Sequence, residues 1–245
     1  MLPGVMLAVT ASMSSRLLPG KALLPLNNTT VLEQVVKRMR TAWVGADPVV
    51  VTTDSPADAP IRYLCACQNI PCSASSNDLL EALLVTARQY EATAVVRVPA
   101  CDPLSDPKMA WAAGYFLQDS EMDFATVQQL PIGGAADALS VSTISELHNQ
   151  LIDPILRNNF TSYLLSDRNR FDCALLPAPV RLRYPELNLR LGTEEDFWLL
   201  KQLFSLIAED EYGVVSLESA IKAVCNDSRL LRQANLGDTL VCRAA

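Results

Sequence analysis

The chain has 245 residues, half of them apolar, with a formal net charge of −7 and a pI of about 4.8. This length can bury one large core, so we expect a single domain over residues 1–245. The acidic balance without a basic patch argues against nucleic acid and anionic membrane surfaces as partners.

Strands and helices alternate in the predictions for the first hundred residues. Val5–Val9 predicts a buried strand, and further strands are predicted at Pro48–Thr52 and Thr93–Val98. Helices are predicted between them at Val31–Arg40, Asp58–Asn69 and Asp78–Tyr90. This order is typical of a parallel sheet with helices on both faces, so we predict a three-layer α/β/α, Rossmann-like fold with a mostly parallel central sheet.

The second half of the chain is less regular. Further strands are predicted at Phe124–Val127, Ala138–Val141, Arg181–Tyr184 and Asn188–Leu191. A helix is predicted over Ser145–Arg157, where Pro154 bends or splits it. Thr193 and Ser216 have the properties of helix caps and predict two final helices, to Ala208 and over Leu217–Cys225. We therefore expect residues from about 193 to 245 to form a C-terminal helical extension of the single domain.

The cysteines and the N-terminal segment bear on the cellular compartment. Seven irregularly spaced cysteines do not form a disulfide framework, and the apolar stretch Met1–Thr10 lacks the features of a signal peptide. We therefore expect a cytoplasmic protein. Cys65, Cys67 and Cys72 could bind a soft metal, but the only histidine is His148, so ordinary thiols are the favoured interpretation.

The most informative motif is the loop after the first predicted strand. Residues 11–21 read Ala-Ser-Met-Ser-Ser-Arg-Leu-Leu-Pro-Gly-Lys. Small residues let the backbone approach a phosphate chain, and Lys21 supplies a positive charge at the end of the loop. By itself this pattern also describes an ordinary solvated turn.

Seven segments in the same order carry a resemblance to a known family. The first loop resembles the signature Ala-Arg-Met-Gly-Ser-Thr-Arg-Leu-Pro-Gly-Lys of the cytidylyltransferases that activate acidic and surface sugars. This family includes the branch named after the spore coat polysaccharide protein SpsF. Six further segments resemble motifs of that branch: residues 52–61, 74–80, 97–104, 131–137, 157–161 and 189–196. The seven segments lie between residues 11 and 196 of the 245.

The resemblance implies a nucleotide-diphospho-sugar transferase-like fold and a nucleotidyltransferase reaction that releases pyrophosphate, with magnesium as the cofactor if the protein is active. The implied partners are a CTP-like nucleotide and an acidic or surface sugar, for surface polysaccharide or flagellar glycan; a homodimer is left open. The implied nucleotide-binding residues are Ser14, Ser15, Arg16, Lys21 and Asp78. The implied catalytic residues are Lys21 and Arg97, and the implied metal ligands are Asp102 and Asp137.

The sequence departs from the family pattern at its acidic residues. Cys101, Ala135 and Gly192 stand where the family has acids. Magnesium needs hard oxygen ligands, so we predict a degraded metal site and weak or no catalysis, as in a pseudoenzyme. Two alternatives are kept: a fully active CTP:sugar nucleotidyltransferase, and a non-catalytic nucleotide- or sugar-binding scaffold or regulatory partner.

Several of these residues also have a purely structural interpretation. Arg97 could pair with Asp102 or Asp106 instead of a substrate. Asp102 could simply begin a turn before Pro103. The sequence alone leaves these alternatives open.

Overall fold

The computed structural model describes residues 2–15, 17–43, 47–76, 78–167 and 170–241, with side chains as far as residue 235. No helix in these ranges is long and apolar enough to cross a membrane. The described strands are β1 (Val5–Thr10), β2 (Pro25–Leu26), β3 (Thr29–Thr30), β4 (Val49–Thr52), β5 (Cys72–Ala74), β6 (Ala94–Pro99), β7 (Phe124–Gln128), β8 (Asp137–Ser140) and β9 (Cys173–Pro177).

Seven of these strands form one central sheet in the order β5-β4-β1-β6-β8-β7-β9. Strand β8 runs antiparallel to both of its neighbours, and the remaining pairs are parallel. In this register Ala8 of β1 lies opposite Val49 of β4 on one side and Arg97 of β6 on the other. The prediction of neighbouring parallel strands at β4, β1 and β6 is therefore confirmed.

Helices surround the sheet. They are α1 (Val31–Arg40), α2 (Ala59–Cys67), α3 (Leu79–Gln89), α4 (Pro107–Gln118), α5 (Val141–Gln150), α6 (Pro154–Asn158), α7 (Phe160–Ser166), α8 (Glu194–Leu206), α9 (Leu217–Asn226) and α10 (Ser228–Val241). Helix α1 begins with a reciprocal capping box between Thr30 and Glu33, which satisfies N–H groups that the first helical turn leaves free. Thr193 and Asp196 form the same arrangement at α8.

The core has a layer on each face of the sheet. Leu7 and Val9 of β1 pack in a cluster with Met39 of α1, whereas Met6 and Ala8 pack with Leu83 of α3 on the opposite face. Because successive side chains of a strand point to opposite faces, a strand buried on both sides has a continuous apolar run. The predicted three-layer α/β/α fold is confirmed.

A third apolar cluster joins helices α8, α9 and α10 to the end of strand β7 and to the loop after β6. It includes Leu200, Ile221 and Leu230 from these helices, together with Leu104 and Val127. The division into one domain with a helical extension from about residue 193 stays a prediction.

Two of the predicted strands are wrong. Residues Val180–Leu182 form a 3-10 turn, and within residues 188–191 only Asn188 forms a β-bridge, to Ile132. The alternating pattern arises because Leu189 and Leu191 are buried in the third cluster while Arg190 between them is exposed. Alternation of this kind records burial of an extended segment and does not require a sheet partner.

The sequence patterns do not predict several further elements, among them strands β5 and β9 and helix α4. The predicted helix Ser145–Arg157 is two helices, because Pro154 begins a new one with Asp153 as its cap. The helix at Leu217–Asn226 is followed by α10, which the sequence analysis did not predict.

Candidate active site

The candidate site lies where β1 and β6 end and the antiparallel strand β8 begins. Thr10 is the last residue of β1, and Arg97 near the end of β6 is in register with Asp137, the first residue of β8. Open α/β sheets bind ligands at the carboxyl ends of their parallel strands. The fold therefore brings Arg97, Asp137 and the loop after Thr10 to one edge of the sheet.

The loop after β1 is held in place by a buried carboxylate. Asp58, 1% exposed, accepts hydrogen bonds from the Met13 backbone N–H (2.7 Å) and the Ser12 hydroxyl (3.2 Å). The Thr53 hydroxyl also donates to this side chain. No sequence pattern singles out Asp58 as a site residue, although it lies in one of the seven segments that carry the resemblance. Its role is to fix the path of the candidate phosphate loop.

The described N–H groups of the predicted nucleotide-binding serines are used within the loop. The Ser14 N–H donates to the Ser12 hydroxyl (3.1 Å), and the Ser15 N–H donates to the Met13 carbonyl (3.2 Å). Arg16 lies outside the described residues. A phosphate bound here would have to exchange with these internal hydrogen bonds, so the nucleotide-binding role of Ser14, Ser15 and Arg16 stays a prediction.

Lys21 connects this loop to a segment from the far end of the chain. It follows Gly20, whose φ of 72° is left-handed, and its Nζ donates to the Leu191 carbonyl at 2.9 Å. We call residues 187–192 the strap. The ammonium group of Lys21 has further donors that this single hydrogen bond does not use, so it can still contribute to binding an anion.

The strap also places a guanidinium against the first candidate metal ligand. Asp102 is fully buried, and both of its carboxylate oxygens accept from Arg190, at 2.7 Å from Nε and 2.8 Å from Nη2. This carboxylate raises the pKa of Arg190 above its ordinary value. The Ser105 N–H donates to the Asp102 carbonyl, so Asp102 does also begin the turn that the sequence suggested.

Arg190 was missed by the sequence analysis. The available signal was its position in the segment 189–196, where the family pattern Leu-Thr-Val-Asp has a threonine. Nothing near residue 190 in the sequence indicates that its partner lies at residue 102.

Cys101 lies among three cations. Burial raises the pKa of its thiol and Asp102 raises it further, whereas Lys21, Arg190 and Arg97 act in the opposite direction. Its Sγ lies 3.6 Å from Asp102 Oδ1. The Cys101 thiol therefore occupies the position where the family pattern has a metal-binding acid, and the Asp102 carboxylate lies next to it.

Arg97 pairs with Asp137, rather than with Asp102 or Asp106. Its Nη1 lies 3.2 Å from Asp137 Oδ2, and that oxygen also accepts from the Thr161 hydroxyl at 2.9 Å. The guanidinium stacks over the ring of Phe160, 4.7 Å from the centroid. Both charged side chains are largely buried, and the ion pair connects the end of β6 to the beginning of β8.

Asp78 has structural partners at the beginning of α3. It caps the helix by accepting from the Leu80 N–H at 2.9 Å, and it forms an ion pair with Arg157. A cap and an ion pair explain the presence of an acid here. Its predicted contact with the nucleotide stays a prediction.

A fully buried arginine supports the turn that contains Asp102. Arg38 of α1 donates from Nε to the Pro103 carbonyl at 2.8 Å and also donates to the Val215 carbonyl. Burial lowers its pKa to about 10, although the charges of Asp106 and Asp210 partly oppose this. Arg38 thus links α1, the Asp102 turn and the segment before α9.

The side chains present do not fit a divalent metal in this arrangement. Asp102 and Asp137 are both hydrogen-bonded to arginines, and Cys101, Ala135 and Gly192 stand at positions that the family pattern fills with acids. Among the residues that the structure describes, no three His, Cys, Asp or Glu side chains are grouped to hold a metal ion. A magnesium ion would have to compete with a guanidinium for each carboxylate.

Comparisons with known proteins agree with the architecture. Residues 5–129 match the family model of the MobA-like NTP transferase domain. The spore coat polysaccharide biosynthesis protein SpsF of Bacillus subtilis is 23% identical over 211 residues, which cover 84% of this chain and 88% of that protein.

Two solved structures share the fold. A cytidylyltransferase from Leptospira borgpetersenii matches with a TM-score of 0.81 at 22% identity, over 93% of this chain and 96% of that one. A Mycobacterium tuberculosis protein in complex with manganese matches with a TM-score of 0.59 at 17% identity, over 81% of this chain and 98% of that one.

Proposed function

The chain belongs to the MobA-like NTP transferase domain family, and from this membership we propose that it is a cytidylyltransferase-like protein of nucleotide-sugar synthesis with weak or no turnover. Its ligands are a CTP-like nucleotide and an acidic or surface sugar, for a surface polysaccharide or flagellar glycan. The description of the Leptospira relative supports the cytidine nucleotide, and the name of SpsF supports the polysaccharide. The cytoplasmic location stays a sequence-based prediction, and a homodimer stays an open alternative.

The strand-end geometry supports nucleotide binding. The loop after β1 ends at Lys21, whose Nζ donates to the Leu191 carbonyl of the strap, and the neighbouring Arg190 is half-exposed beside Asp102. A phosphate chain is an anion that such a set of cations attracts, at the edge of the sheet where open α/β folds bind ligands.

One observation carries the prediction of weak turnover: the buried carboxylate of Asp102 is bonded through both oxygens to Arg190. Nucleotidyl transfer depends mainly on stabilising charge at the reacting phosphate, and magnesium held by carboxylates supplies that stabilisation in this reaction class. Losing a single charge-stabilising group of this kind typically costs about 10²–10³ in rate. With Asp102 engaged and other acids replaced, little catalysis should remain.

Nucleotide binding can be tested by titration calorimetry of the purified protein with CTP, ATP, GTP and UTP. We expect saturable binding of CTP with a Kd below about 1 mM, the upper end of ordinary substrate affinities, and weaker binding of the other three. A protein that gives no saturable heat with any nucleotide would refute the proposal and favour the empty-scaffold alternative.

A further inference from the structure

We propose that Arg190 is a tethered cation that takes the place of a divalent metal beside Asp102, so that the protein binds nucleotide phosphates without a metal ion. This inference rests on the proposed nucleotide-binding function and goes beyond it, because it specifies how the site compensates for the missing acids. It concerns binding and assigns no chemical step to Arg190.

The first support is that the ion pair buries its carboxylate and exposes its cation. The Asp102 side chain is fully buried, whereas the Arg190 side chain is 46% exposed. Nε and Nη2 bind the two carboxylate oxygens, at 2.7 and 2.8 Å. A guanidinium has N–H groups beyond the two used here, so its exposed side can donate to a second anion. A carboxylate with a cation between it and solvent is the arrangement that a metal ion would otherwise create.

The second support is that the backbone of the strap is fixed. The Leu191 N–H donates to the Cys101 carbonyl, and the Leu189 N–H donates to the Ile132 carbonyl, both at 2.8 Å. These hydrogen bonds attach the strap to the turn before Asp102 on one side and to the segment before β8 on the other. Arg190 is thus held between them and differs from a flexible surface arginine.

The third support is the charge of the cluster. Lys21, Arg97 and Arg190 supply three positive charges, and Asp102 and Asp137 supply two negative ones. Asp102 and Asp137 thus each already have a cation beside them, which disfavours Mg²⁺, and the Lys21 ammonium adds a further positive charge that favours a phosphate. The sequence of the strap also differs from the family pattern in charge. Arg190 replaces a threonine and Gly192 replaces an acid, so the strap has lost a negative charge and gained a positive one.

The decisive measurement is CTP binding by calorimetry in excess EDTA and again in excess Mg²⁺. We expect the Kd in EDTA to stay within about threefold of the Kd in Mg²⁺, because the protein supplies the neutralising charge itself. A loss of more than about tenfold in EDTA would overturn the inference.

The second measurement compares Arg190→Gln with the matched control Arg181→Gln. Arg181 forms an exposed ion pair with Glu218, with 59% of its side chain accessible, and lies outside the candidate site. In EDTA, Arg190→Gln should weaken CTP binding by about 10–100-fold, as expected for loss of a charged hydrogen bond, while Arg181→Gln should not. Equal affinities of both variants would contradict the proposed role.

A third measurement separates this inference from the proposed function. Manganese binding to the nucleotide-free protein is followed by electron paramagnetic resonance. Wild type and Arg181→Gln should bind no Mn²⁺ at the site, because Arg190 occupies both oxygens of Asp102. Wild-type Mn²⁺ binding that Asp102→Asn abolishes would overturn the inference. Absence of CTP binding in every condition would instead refute the proposed function.

Discussion

Replacement of Gly133 tests whether the backbone of the strap is packed rigidly against this residue. Gly133 lies before β8 with a φ of +87°, and a Cβ added there would meet the Arg190 backbone N at 2.8 Å and Cα at 2.9 Å. Neither backbone atom can move without shifting the strap. Gly133→Ala should therefore both lower the free energy of unfolding and displace Arg190.

The expected loss can be worked out from two contributions. A left-handed conformation costs an L-residue about 1–2 kcal/mol, and forcing an extra methyl group into a packed site costs about 1–3 kcal/mol. The sum is about 2–5 kcal/mol in the free energy of unfolding. The gain from reduced freedom of the unfolded chain offsets about 0.4–1 kcal/mol of this loss.

Gly213 is the matched control. Its φ of +70° is also left-handed, but the nearest atom to an added Cβ is Nζ of Lys37, the far end of a flexible side chain. Gly213→Ala should therefore show the conformational cost alone, about 1–2 kcal/mol. The difference between the variants isolates the collision with the strap.

The assay is urea unfolding followed by circular dichroism, with thermal unfolding as a second measurement. Gly133→Ala should lose about 1–3 kcal/mol more than Gly213→Ala, which corresponds to roughly 2–12 °C in midpoint for a chain of this size. Equal losses in the two variants would refute the claim that the strap backbone is packed rigidly against Gly133.

Three further variants test individual contacts. Asp58→Ala should lose about 2–4 kcal/mol of unfolding free energy in urea, because it strands buried donors of the loop after β1, whereas the exposed Asp54→Ala should change stability little. Asp78→Ala removes a helix cap and an ion pair, so we expect a loss of about 1–3 kcal/mol in the same assay; an unchanged midpoint would contradict the structural role. Lys21→Ala should weaken CTP binding about 10–100-fold by calorimetry, and the exposed Lys222→Ala should not; unchanged affinity in Lys21→Ala would place the phosphates elsewhere.

The central strands could be predicted because each is a short run of apolar residues buried on both faces. The runs at Val5–Val9 and Val49–Thr52 have no polar face, and such runs are typical of the interior of a parallel sheet. Helix α1 could be predicted over its full extent, because its apolar spacing and its cap agree.

The site could be predicted only as far as its motifs extend. The loop after β1 and the residues around Asp102 were located from local patterns. The pairing of Asp102 with Arg190 could not be predicted from local patterns. The partners are 88 positions apart, and an ion pair produces no periodic pattern in the sequence. The strap resembled a strand for a related reason: burial of Leu189 and Leu191 produces the alternation whether or not a neighbouring strand is present.

The function of Asp58 illustrates the same limit. A buried acid that holds a loop and an exposed acid at a helix start have the same sequence signature, and only the fold shows that Met13 and Ser12 lie within hydrogen-bonding distance. Polar contacts between distant segments are therefore what sequence patterns miss in this protein.

We propose that the protein has the fold of a cytidylyltransferase and has lost most of the metal-assisted catalysis. The most direct test is steady-state pyrophosphate release with CTP, Mg²⁺ and a panel of acidic sugars, with an active cytidylyltransferase as the positive control. Working enzymes typically turn over at about 1–10³ s⁻¹. We predict release at least about a hundredfold below the lower end of that range, as expected from loss of a charge-stabilising group. Sustained CTP- and sugar-dependent release above about 1 s⁻¹ would show that the metal-assisted catalysis is intact.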